Sequence, residues 1–106
     1  MTEAAILVLT QMPDRASAEA LARRLVEGRL AACVSVGAPV ESLYHWRGQI
    51  ETAQEVPVTV KTRPDRYREV EALIQAEHPY ELPEIIALPV VSGSAPYLAW
   101  IAAETQ

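Results

Sequence analysis

Thirteen residues, Gln49 to Lys61, read as one extended run entered through the tight-turn pair Arg47-Gly48. At ~3.3 Å per residue such a strand is roughly 43 Å long. Val40 to Trp46, on the other side of the turn, reads as its antiparallel partner. The first apolar run, Ala4 to Thr10, is only about half as long. The hairpin must therefore project beyond any sheet that the first strand can join. Pro57 lies inside the long run and cannot donate to a ladder, so a bulge or an unpaired stretch is expected there.

The remaining elements follow in order. Ala4 to Thr10 lacks polar alternation, the mark of a strand buried on both faces, and it ends in a turn at Met12-Pro13-Asp14. Ser17 is the expected N-cap of a helix whose buried face carries Ala18, Leu21, Ala22, Leu25 and Val26. Glu19 and Arg23 can pair across one turn of its other face. Gly28 is its C-cap, and Leu30 folds back onto the last turn. Ala31 to Val36 is a second strand, interrupted at Gly37 and Pro39 before Val40 to Trp46. Pro64 opens a second helix with Tyr67, Val70, Leu73 and Ile74 inward, and Pro79 stops it. Ile85 to Val91 is a fourth strand, and Ser94 caps a final helix from Ala95 to about Thr105.

The order is β-α-β-β-α-β plus a terminal helix. With right-handed crossovers this predicts an α+β fold: a ferredoxin-like sandwich over residues 1–106 with a long projecting hairpin. The hairpin disfavours the alternative, a small open α/β sheet. In the sandwich both helices lie on one sheet face, yet the first and fourth strands are apolar throughout. A single chain has too little left to cover the second face. Self-association would bury it, together with Tyr44 and Trp46 of the hairpin, and would pair free strand edges.

Bulk properties narrow the function. A net charge of -5 leaves no basic patch for nucleic acid. One cysteine excludes an internal disulfide and fits a reducing compartment. No leader pattern or membrane-length apolar run is seen, so a cytoplasmic location without membrane contact is expected. Cys33, mid-strand between alanine and valine, reads as a small buried hydrophobe rather than a nucleophile. No phosphate loop, zinc spacing or catalytic serine motif is present, and an enzyme built on Cys33 or on connector carboxylates ranks last.

Polar chemistry concentrates in the connector His78-Pro79-Tyr80-Glu81-Leu82-Pro83-Glu84. His78, Glu81 and Glu84 are the expected metal ligands, an imidazole and two carboxylates within a proline-stiffened turn. Cu(II) should bind best among first-row divalent ions, and binding should weaken in acid because the imidazole must be neutral to ligate. The plainer reading of His78 is a helix C-terminal residue facing the negative end of the dipole. Glu81 and Glu84 lack a visible apolar pocket or charge partner, so an acid-base pair is not expected, and Glu84 reads as a structural acceptor.

Six blocks in order, Arg29 to Val34, Ser42 to Gly48, Lys61-Thr62, His78 to Ile85, Leu88 to Val90 and Tyr97 to Ile101, closely resemble the CutA divalent-cation-tolerance family. The resemblance spans essentially the whole chain. It implies a ferredoxin-like homotrimer shaped like the nitrogen-regulatory PII signal proteins, with hairpins joining strand edges between subunits. It implies a non-enzymatic role in response to divalent metal ions, copper first, with no required cofactor. The alternative it leaves is a PII-like module binding a small effector in clefts between subunits. Two positions depart from copper-associated members: Thr10 stands for a cysteine and Glu77 for a second histidine. Both losses weaken a copper site built on that pattern.

Overall fold

The computed structural model describes residues 4–106. Strands β1 (Ile6–Met12), β2 (Cys33–Val36), β3 (Val40–Trp46), β4 (Gln49–Thr62) and β5 (Ile86–Pro89) alternate with helices α1 (Arg15–Glu27), α2 (Tyr67–Glu77) and α3 (Ala95–Glu104). The sheet runs β2-β4-β1-β5, with β3 also paired to β4, and all the pairings are antiparallel. This is the α+β arrangement expected, with β2 and β3 forming one interrupted strand along β4.

The long strand dictates the shape. β4 has 14 residues, and the chain measures 48 Å along its longest axis against 26 and 24 Å across. Its C-terminal half pairs with β1 and β2, and its N-terminal half pairs only with β3. Arg47 and Gly48 take φ of 50° and 80°, the paired positive values of a two-residue turn that matches strand twist. Glycine fits there without strain, whereas the arginine does not.

Pro57 sits where the expected irregularity falls. Val36 pairs with Val58 and Val40 with Glu55, so residues 37–39 oppose only 56 and 57. One extra residue on the β2-β3 side is a β-bulge. The Pro57 carbonyl accepts from the Gly37 N–H at 2.9 Å, which points the missing proline N–H toward the bulge, where no ladder bond is lost.

The helices cover one face. Val8 and Met12 of β1 and Val58 and Val60 of β4 pack with Leu21 and Leu25 of α1 and Ile74 of α2, all at most 1% exposed. Burying one such side chain contributes about 1.5–3 kcal/mol. α3 lies on the opposite face, where Leu98 and Ile101 pack on Ala5 and Ala32. The carbonyl of its C-cap residue is held from outside: Arg63 Nη2 and Arg66 Nε both donate to Thr105 O at 2.8 Å. α3 leaves much of this face open. Leu7 pairs with Leu88 and Leu9 with Ile86, so these four share it. Ile86 is 48% and Leu88 45% exposed.

Several local expectations shift. Asp14, not Ser17, caps α1: its Oδ1 accepts from the Ser17 N–H at 2.8 Å, and this bond lowers the Asp14 carboxyl below its ordinary value. Glu19 pairs with Arg15, one turn earlier than expected, while Arg23 pairs with Glu27. Gly28 caps α1 with φ of -82°, and the left-handed residue is Arg29 at 61°. Val26 is exposed rather than buried. A short 3-10 turn, Pro64–Arg66, precedes α2. β5 is shorter than the expected Ile85 to Val91, and all four of its residues are exposed. Cys33 is half-buried on β2 at the sheet edge, not a core residue.

Candidate functional site

The connector begins where α2 must end. A residue before proline disfavours helical backbone, and His78 takes φ -83° and ψ 130° while its N–H still donates to Ile74 O. Its ring folds inward and is buried. The Tyr80 N–H donates to Nδ1 at 3.2 Å, so Nδ1 is the unprotonated nitrogen. Nε2 then carries the hydrogen and donates to the Gln11 carbonyl at 2.6 Å. The Tyr80 ring packs against the imidazole with centroids 4.5 Å apart. In this arrangement His78 is a strut tying the connector to the end of β1, and neither nitrogen has a lone pair free for a cation.

Glu81 and Glu84 point elsewhere. Both line an open cleft of about 970 Å³ between the connector and the projecting hairpin, and His78 does not line it. The other wall is one face of the hairpin: cross-strand pairing of Val40 with Glu55 and Ser42 with Ala53 sets Glu55 and Ala53 on the same side as Tyr44 and Trp46. Arg47, at the turn, reaches across to Glu81 and donates through Nη2 to both oxygens, at 3.2 and 3.0 Å. Its guanidinium also lies 5.4 Å from the Trp46 ring centroid. Glu81 thus has the charge partner that the sequence did not reveal.

Glu84 has the opposite environment. Glu84 is exposed, but partial desolvation, first, and the Glu55 carboxylate, second, raise its carboxyl above the ordinary value. Burial, followed by Glu55, likewise raises the Tyr80 phenol. The expectation that no pocket shifts these carboxylates is therefore corrected for Glu84. Glu55 was missed altogether. The strand parity that places it on the same hairpin face as Tyr44 was legible, but only once its partner Val40 was known.

The other positions of interest are committed to structure. Glu77 pairs with Arg24 at 2.7 Å across α1 and α2. Thr10 is buried in the helix-covered face, and its Oγ1 finds no partner among the described residues. His45 lies exposed on the hairpin. Among the described residues no three His, Cys, Asp or Glu side chains gather closely enough to hold a metal ion. One chain therefore offers carboxylates along a cleft wall, which suits weak cation association but not a closed resident site.

Comparisons with known proteins place this geometry. Residues 6–104 match the family described as CutA1 divalent ion tolerance protein. The chain is 38% identical over 99 residues to the divalent-cation tolerance protein CutA of Thermus thermophilus, covering 93% of this chain and 96% of that one. It is 35% identical to the chloroplastic protein CutA of Arabidopsis thaliana, across 99% of this chain and 58% of that one. The solved structure of the periplasmic divalent cation tolerance protein CutA from Archaeoglobus fulgidus superposes with a TM-score of 0.93 at 36% identity, covering 96% of this chain and 99% of that one.

Proposed function

Because the chain belongs to the CutA1 divalent ion tolerance family, we propose that it is a non-enzymatic homotrimer that engages divalent cations weakly at the connector carboxylates Glu81 and Glu84. The observation that carries the cation reading is the open cleft whose walls carry three carboxylates, Glu55, Glu81 and Glu84. A divalent cation offsets the mutual repulsion of neighbouring carboxylates. Cu(II) stands first among first-row ions by general stability order. His78 serves the site by holding the connector in place rather than by ligating.

The trimer reading rests on the open sheet face. Leu7, Leu9, Ile86 and Leu88 share one sheet face, where Ile86 and Leu88 stay exposed, and Leu43 and Ile50 on the far side of the hairpin are 65% and 68% exposed. Apolar surface of this extent calls for a partner, and a second and third copy of the chain supply the free edges and hairpins that would cover it. Among the described residues no helix is long and apolar enough to cross a membrane. A cytosolic setting, where Cys33 stays reduced, suits the reading.

The test is calorimetric titration of Cu(II) into the wild type, His78→Ala and the double variant Glu81→Gln/Glu84→Gln at neutral pH. Weak saturable binding is expected in the first two and its loss in the third. Equal binding by the double variant removes the connector carboxylates from the site. A second reading, a module that binds a small effector, is favoured by the size and aromatic walls of the same cleft.

A further inference from the structure

The cleft is larger than a metal ion needs, and its walls are of two kinds. Tyr44, Trp46 and Tyr80 supply aromatic surface, and Glu55, Glu81 and Glu84 supply carboxylates. Rings and carboxylates together attract an organic cation: the π face draws the positive charge, and the carboxylate accepts its N–H groups. One end of the cleft already demonstrates this chemistry with a residue of the chain itself. There the Arg47 guanidinium sits 5.4 Å from the Trp46 centroid and donates to both Glu81 oxygens.

Toward the base of the hairpin the same cleft is lined by Tyr44, Tyr80, Glu55 and Glu84, and among the described residues neither of these carboxylates joins an ion pair. Two carboxylates and two aromatic rings on the walls of one open cleft together favour a cation with an organic stem. Arg47 is held by Glu81 and Trp46 at the turn and does not serve the Glu55 end.

We propose that the cleft binds an aliphatic ammonium ion, with the charged head between Glu55 and Glu84 and the hydrocarbon stem along Tyr44 and Tyr80. The proposal develops the effector reading of this cleft and does not depend on copper binding. A divalent metal could use the same carboxylates, but it gains nothing from the rings or from a hydrocarbon stem. That difference separates the two.

The probe is n-butylammonium, titrated at physiological salt into the assembled protein and followed by the NMR signals of the tyrosine rings. The neutral and anionic matches are 1-butanol and butyrate, and magnesium chloride is the inorganic control. We expect n-butylammonium to bind saturably at one site per chain, and at least tenfold more tightly than 1-butanol or butyrate. Glu55→Gln/Glu84→Gln should weaken it at least tenfold. Tyr44→Leu should weaken it severalfold while leaving any magnesium response unchanged. Light scattering confirms that each variant keeps the wild-type assembly, and Glu84→Gln alone replaces the double variant if it does not. Binding of 1-butanol as tight as that of n-butylammonium overturns the proposal, as does a carboxamide variant that titrates like the wild type. Ammonium binding by a protein that shows no copper response would count against the metal reading only.

Discussion

Gly37→Ala tests whether the bulge and Pro57 form one unit. A Cβ on Gly37 would lie 2.9 Å from Pro57 Cγ and 3.7 Å from both Cδ and the carbonyl oxygen. The first of these is well inside van der Waals contact. A proline ring cannot swing away, because it closes on its own backbone nitrogen, so the bulge itself must move. Overpacking of this kind costs about 1–3 kcal/mol. Against it stands a gain of about 0.4–1 kcal/mol, since alanine restricts the unfolded chain and Gly37 needs no positive φ. The expected net loss is about 1–2 kcal/mol per chain. Chemical denaturation at one fixed protein concentration reads it, because an assembled protein unfolds in a concentration-dependent way. Pro57→Ala removes the Cγ atom. In that background Gly37→Ala should be neutral or slightly stabilising, which gives a coupling of about 1–3 kcal/mol. The same loss in both backgrounds would show that the glycine answers to something other than Pro57.

Three further outcomes are expected. Ile50→Asp places a charge on the exposed apolar side of the hairpin that assembly would cover, so it should lower the melting temperature and shift the protein toward smaller species on a sizing column; an unchanged profile and melting temperature would count against the hairpin as a clamp. His78→Ala leaves the Gln11 carbonyl without its 2.6 Å donor, a loss of about 1–3 kcal/mol in denaturation, while copper titration should be unaffected. Glu84 has a raised carboxyl, so its contribution to stability is fully present below the unfolded value near 4.5 and is lost as pH rises through the folded value. Glu84→Gln does not titrate, so its melting temperature should match the wild type in acid and exceed it at neutral pH; a gap that stays constant with pH would exclude the burial and Glu55 effects.

Element order was legible because the signals were local. Arg47-Gly48 marked its turn, Pro79 ended its helix, and Pro57 announced the irregularity that the bulge at residues 37–39 supplies. Cap identity was harder, since aspartate and serine both cap helices and only Asp14 has the extended backbone for it, at φ -153°. β5 misled through its composition: an unbroken apolar strand suggested burial, whereas Ile86 and Leu88 lie exposed on an edge strand. The connector was located from its residues alone, but its chemistry was not. Whether His78 ligates or braces depends on the Gln11 carbonyl and the Tyr80 N–H, and only the fold brings Gln11 there, 67 residues away in sequence. Glu55 and Arg47 entered the cleft in the same way, through hairpin register rather than through any motif.

The central claim is that the uncovered sheet face and the projecting hairpin exist to be shared between copies of the chain. Multi-angle light scattering on the purified protein at micromolar concentration tests it most directly. The account predicts a mass of about three times the 11.6 kDa chain, held on dilution. A monomer of 11.6 kDa would leave Ile86 and Leu88 facing water and would contradict it.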